Sequence, residues 1–95
     1  MIDGIRFASK GEATRYCQLK IMCDGREIAD LELQPAFPIV VNDKKIATYK
    51  ADFKYVDLKD NSTVVEDFKG FDTPVSKIKR KLVEAIYGQQ IRIVK

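Results

Sequence analysis

Between Ile46 and Lys69 the chain alternates, turns and resumes. Tyr49, Ala51, Phe53 and Tyr55 occupy every second position, a polar segment runs from Asp57 to Thr63, and a further strand covers Val64 to Lys69. Alternation at a period of two places the four apolar side chains on one face of a strand from about Ile46 to Val56. Asp, Asn and Ser favour turns because their short side chains bond the nearby backbone, so segment 57–63 predicts an antiparallel hairpin. This hairpin constrains the fold most, since the remaining segments must cover its faces or extend its edges. It also brings polar groups together. Asp52 falls on the face opposite the four apolar residues, and a turn centred near Asp60 makes Asp52 and Asp67 cross-strand neighbours. Asp67 and Lys69 share a face.

The flanking segments read as helices and strands in alternation. Ser9-Lys10-Gly11-Glu12 has the capping-box pattern and opens a helix to about Cys23, with Ala13, Tyr16, Cys17 and Met22 on an imperfect apolar face. Asp24-Gly25 supplies a stop. Leu31, Leu33, Phe37 and Ile39 alternate as a strand that Pro35 and Pro38 confine to an edge or a bulge. Thr73-Pro74 pairs an N-cap residue with proline at the first helical position. The stripe Val75, Ile78, Leu82, Ala85 and Ile86 then predicts a helix that buries this face, ending at Tyr87-Gly88. Ile91–Val94 forms a last strand. Residues 1–8 are expected to be a lead-in strand or arm, and 70–73 a connector. The order is α-β-β-β-α-β, an α/β sandwich with a mixed sheet, in one continuous unit without repeats or linkers.

Composition narrows the chemistry. The 95 residues carry no histidine, which removes the usual general base near neutral pH and the nucleophile schemes that need one. Hydrolysis would have to run on carboxylates, lysine and a metal. A net charge of +3 permits a nucleic-acid partner without arguing for one. The two cysteines, Cys17 and Cys23, point to divergent faces of the first helix and have no partners for a zinc site, so they are expected to be packing residues. No apolar run reaches the length of a membrane span and the N-terminus lacks a signal-peptide pattern, so a cytoplasmic protein is expected.

Two facing aspartates repel and destabilise a sheet unless something compensates. Mg²⁺ is the natural compensation, being a hard cation that prefers carboxylate oxygens and keeps several waters. Lys69 would sit beside it, placed to orient the attacking water or to stabilise charge on a phosphate. The alternative for Lys69 is an ordinary surface ion pair with a neighbouring aspartate, which contributes little to stability. On the last helix Lys77, Lys79, Arg80 and Lys81 form a basic run that is expected to be mostly solvated. Lys79 borders the apolar stripe, and either snorkels or reaches over the sheet towards a phosphate.

Tyr49-Lys50-Ala51-Asp52 followed by Val65-Glu66-Asp67-Phe68-Lys69-Gly70 resembles the PD-(D/E)xK nuclease signature split across a hairpin. More narrowly, the chain resembles a family of small phage and prophage nuclease-like proteins. That likeness runs through Gly4–Lys10, Leu31–Pro35, Tyr49–Phe53, Val65–Gly70 and Lys79–Leu82. The resemblance implies a restriction-endonuclease-like αβββαβ core, with a mixed central sheet flanked by helices. It further implies a Mg²⁺-dependent DNA endonuclease, with Mn²⁺ as a substitute, acting in phage replication or recombination and suited to branched DNA such as a Holliday junction.

Residue by residue, it gives Asp52 and Asp67 to the metal, with the Phe68 carbonyl as a further oxygen ligand, and Lys69 to catalysis. Glu12 matches a first-helix glutamate that joins the site, although the capping box explains it equally well. Gln34 matches a glutamine near the metal, or is a strand-edge amide. Lys79, with Lys77, Arg80 and Lys81, would contact DNA. Ala51 replaces the signature's proline without loss of a catalytic group, and Asp67 stands where Asp or Glu is allowed. Glu66 lies on the face opposite Lys69 and is left a structural or surface role. A homodimer would enlarge the small DNA-binding surface, and a phage replication or recombination protein is a candidate partner. The rival readings are an inert DNA- or protein-binding module and a structural phage protein.

Overall fold

The computed structural model describes residues 4–7, 9–69 and 72–94. Part of the expected lead-in arm and of the 70–73 connector lies outside these. The described elements run α1 (Lys10–Asp24), β1 (Ile28–Leu33), β2 (Ala36–Val41), β3 (Lys44–Lys50), β4 (Phe53–Asp57), β5 (Ser62–Phe68), α2 (Pro74–Tyr87) and β6 (Ile91–Val94). Four strands form a mixed sheet in the order β1-β4-β5-β6, antiparallel except for the parallel β5–β6 pair, while β2 and β3 form a separate antiparallel ribbon. The chain is thus an α/β protein with a mixed sheet and two helices.

The expected hairpin is present and its register is as derived. Phe53 pairs with Glu66 and Asp57 with Ser62, so one further step sets Asp52 opposite Asp67. The two long strands expected around it are each broken. Gln34 adopts a left-handed φ of 51° between β1 and β2, next to Pro35, which has no N–H to extend the ladder. Ala51 and Asp52 lie between β3 and β4 at the same level. Two bonds close the corner, Gln34 N to Asp52 O at 2.9 Å and Ala51 N to Pro35 O at 3.1 Å. Beyond it the ribbon turns at Asn42-Asp43, both left-handed at φ 49° and 64°, as a tight hairpin turn requires.

The break also divides the apolar set that alternation placed on one face. Phe53 and Tyr55 join Tyr16, Leu19, Ile28 and Val64 in a core beneath α1. Tyr49 and Ala51 join Phe37, Ile39, Val65, Val83 and Ile91 in a second core, formed among the ribbon, α2 and the opposite face of the sheet. A bend at Asp52 resets the phase between the two pairs.

Helix α1 forms as its capping residues predict, with Ser9 Oγ accepting from Glu12 N at 3.1 Å. It buries Glu12, Tyr16 and Leu19, while Cys17 is exposed rather than part of the apolar face, and both cysteines are free. Helix α2 also begins and ends as expected, with Thr73 Oγ1 accepting from Ser76 N and Gly88 left-handed at φ 65°. Its orientation is not as expected. Val83 is its buried residue, whereas Val75, Ile78, Leu82 and Ile86 are 61, 60, 38 and 46 % exposed. The helix is held by its other side. Tyr87 packs edge-on against Phe37 and donates to Pro38 O at 2.8 Å, and Arg80 points inward to Asp72. Among the described residues, no helix is long and apolar enough to cross a membrane.

Candidate active site

The corner at Gln34 and Asp52 opens onto the end of β5, where three consecutive residues carry most of the polar chemistry. Alternation sends Glu66 to the α1 face of the sheet and Asp67 to the α2 face. Asp52 comes to Asp67 from the bend. Its amide donates to Glu66 O at 3.1 Å, and its Oδ2 accepts from Phe68 N at 2.7 Å. The Asp52 and Asp67 carboxyl groups lie within hydrogen-bonding reach of one another.

Two unit charges about 4 Å apart repel by about 4 kcal/mol at an effective dielectric of about 20. Burial, the adjoining Asp67 and the charge of Glu12 accordingly push Asp52 up to about 7, against the opposing Phe68 amide. Without a cation, Asp52 holds its proton until near neutral pH.

Asp67 is 2 % exposed. Its Oδ2 accepts from the Tyr49 hydroxyl and lies 3.4 Å from Lys69 Nζ. Lys69 continues the parallel ladder through its amide, which donates to Val94 O at 3.0 Å, so its side chain is launched from fixed backbone on the same face as Asp67. Alternation puts Tyr49 on an apolar strand face, and its ring does pack in the core. A buried tyrosine hydroxyl nonetheless needs a partner, and that requirement was the available signal for a place in the site. Burial and the Asp67 carboxylate both raise its pKa, so the phenol stays protonated and donates.

Glu12 is 7 % exposed on the first turn of α1. The reciprocal half of a capping box, from its carboxylate back to Ser9 N, is not formed, and the carboxylate has no hydrogen-bond or ion-pair partner among the described residues. It acts on Asp52 through its charge. The close approach of α1 is set by Gly11, where an added Cβ would lie 2.1 Å from Phe68 Cζ. The ring of the residue between Asp67 and Lys69 therefore rests directly on the helix backbone. Gln34 contributes its backbone to the corner, and its side chain is exposed. Phe68 reaches the pair through its amide, which donates to Asp52 Oδ2.

The basic residues of α2 divide. Lys79 lines an open groove of about 240 Å³ together with Lys50, Lys69, Thr48, Tyr49 and Ser76. Lys77 and Lys81 are exposed. Arg80 is committed within the protein, binding Asp72 at 2.7 and 3.1 Å and lying within hydrogen-bonding reach of the Tyr49 hydroxyl.

On the opposite face, Glu66 is fully buried. Arg15 binds it through two nitrogens at 2.8 and 2.7 Å, Tyr55 donates to it and Arg92 lies at 3.8 Å. Burial alone would raise its pKa, but these donors and charges outweigh it and hold Glu66 below the usual carboxylate range. Of the two roles left open for it, this is the structural one.

An α/β scaffold with a mixed sheet thus carries a strained pair of carboxylates and an adjoining lysine at a strand bend. The chain belongs to the family described as protein of unknown function (DUF1064), whose model matches residues 1–95. No curated protein and no solved structure matches it.

Proposed function

We propose that this chain is a Mg²⁺-dependent DNA endonuclease of the PD-(D/E)xK kind, with Asp52, Asp67 and Lys69 at its centre. The observation that carries the reading is the Asp52–Asp67 contact, with Lys69 Nζ 3.4 Å from Asp67. Folding gains nothing from two adjoining carboxylates that repel, whereas a hard cation between them offsets the repulsion. The restriction-endonuclease-like core corresponds to α1, the β1–β2 and β3–β4 strands each bent at the corner, β5, α2 and β6.

The donor set fits Mg²⁺. Among the described residues no three His, Cys, Asp or Glu side chains form a metal cluster. Asp52 and Asp67 would therefore hold the ion, oxygen ligands of the kind Mg²⁺ prefers. When bound, Mg²⁺ supplies Lewis acidity towards the phosphate and a more acidic water, and Mn²⁺ would substitute. Asp52 and Asp67 hold the site. Lys69 orients the attacking water or stabilises the developing phosphate charge, while Glu12 adds to the negative field from α1. Lys79 and Lys50, lining one groove with Lys69, would hold the backbone phosphates on either side of the scissile bond. Branched DNA is the favoured substrate, and a homodimer or a phage recombination partner would widen the small surface available to it.

The test is cleavage of linear, single-stranded and four-way-junction DNA with Mg²⁺, Mn²⁺ or EDTA. Metal-dependent cutting that falls about 1,000-fold or more in Asp67→Asn is expected. Binding without cutting, under every metal and with every DNA shape, would overturn the reading.

One observation favours a second reading, an inert module that docks a protein: the exposed stripe Val75, Ile78, Leu82 and Ile86 on α2. That module would bind its partner unchanged in Asp52→Ala.

A further inference from the structure

The catalytic scheme leaves unused a chain of three polar residues that ends on Asp67. Asp72 holds Arg80 through two oxygens, at 3.1 and 2.7 Å. Arg80 lies within hydrogen-bonding reach of the Tyr49 hydroxyl, and that hydroxyl donates to Asp67 Oδ2. Lys69 approaches the same oxygen. Tyr49 and Lys69 both reach Oδ2 of Asp67, and the Asp52 carboxyl approaches the same group. The chain spans three elements, since Tyr49 is on β3, Arg80 on α2 and Asp67 on β5.

A carboxylate with two equivalent free oxygens rotates and presents either one. Fixing one oxygen with a donor presents the other, which is how outer partners orient metal-ligating groups. A guanidinium can donate but not accept, so Arg80 near the hydroxyl oxygen leaves the Tyr49 proton to Asp67.

We propose that Tyr49 and Arg80 are positioning residues, which pin Oδ2 of Asp67 so that Oδ1 faces the divalent cation shared with Asp52. The inference rests on the nuclease reading. It gives Arg80 a place behind the site, where the basic run of α2 alone suggested contact with DNA.

Tyr49→Phe keeps the ring and removes only the hydroxyl. In the full chain, Mn²⁺ titration followed by electron paramagnetic resonance should show binding weakened about 10- to 100-fold. The Mg²⁺ concentration giving half-maximal cleavage should rise by a similar factor, while the rate at saturating metal changes less than about 5-fold. Arg80→Gln, checked for a native circular-dichroism spectrum because it also loses the Asp72 ion pair, should weaken Mn²⁺ binding about 3- to 10-fold. Wild-type Mn²⁺ affinity in both variants, with Asp67→Asn losing binding, would overturn the positioning role and leave the nuclease reading standing. Failure of the wild type itself to bind Mn²⁺ would overturn the nuclease reading and this inference with it.

Discussion

Glu66 and Asp67 are successive residues of one strand, both carboxylates and both buried, at 0 and 2 % exposure, yet the two faces of the sheet treat them differently. On the α1 face, Glu66 is met by a two-point arginine, a tyrosine hydroxyl and a second arginine, and its charge is matched within the protein. On the α2 face, Asp67 is met by a hydroxyl, one lysine at 3.4 Å and another carboxylate. A matched buried charge holds a fold together. An excess of negative charge at a fixed, half-open corner is a request for a cation. The contrast marks Glu66 as a charge matched within the protein and Asp67 as the carboxylate that the proposed reading gives to a cation.

The largest expected effect lies on the matched face. Arg15→Met strands the Glu66 charge in the core and should lower stability by about 3–5 kcal/mol, read by urea unfolding. A loss below about 1 kcal/mol would mean that Glu66 is not neutralised by Arg15, and the comparison would fail.

The opposite sign is expected on the other face. Asp52 has a folded pKa raised to about 7, so the native state holds more protons than the unfolded chain between about pH 4 and pH 7. Stability from this group is therefore fully present below its unfolded pKa and is lost as pH rises through 7. Glu66, shifted the other way, loses stability only at more acidic pH, so the window from pH 5 to pH 8 reports Asp52. Without metal, Asp52→Asn should stabilise the protein at pH 8 by on the order of 2 kcal/mol and flatten that dependence, after discounting for partial solvent exposure. Destabilisation at pH 8 would instead make Asp52 a matched group like Glu66.

A smaller effect should sharpen the function of the groove. Lys79→Ala should weaken DNA binding by a few-fold and reduce the slope of log affinity against log salt by about one unit or less. An unchanged slope would remove Lys79 from the DNA path.

The helices show what was legible in the sequence and what was not. Hairpin register, both helix starts and the last strand follow from local rules, because turn and capping residues act on their immediate neighbours. The Asp52–Asp67–Lys69 constellation was legible for the same reason, as register alone brings it together. The corner was not. Pro35 announced a disturbance, but a left-handed Gln34 and the phase change between Ala51 and Phe53 depend on bonds between distant strands. Asn42-Asp43 did carry a hairpin signal, in the gap left between the strands read at Leu31–Ile39 and Ile46–Val56.

Helix α2 has the clear apolar stripe and leaves it exposed, whereas α1 has a poor pattern and supplies Tyr16 and Leu19 to the core. Periodicity identifies a helix, but contacts such as Arg80–Asp72 and Tyr87–Pro38 decide which side docks. Leu19→Ala should accordingly cost about 3 kcal/mol and Val83→Ala about 2 kcal/mol. Ile78→Ser should change stability by less than about 0.5 kcal/mol. A loss of 2 kcal/mol at Ile78 would show the stripe to be covered.

The central claim is that the α2 face holds a cation which the protein's own groups do not replace. Its most direct measurement is the thermal unfolding midpoint at pH 8 with and without about 10 mM Mg²⁺, for wild type and Asp52→Asn. The account predicts a rise of several degrees with Mg²⁺ in the wild type and none in the variant, since a ligand bound only by the native state stabilises it. An unfolding midpoint indifferent to Mg²⁺ and Mn²⁺ in the wild type would contradict it.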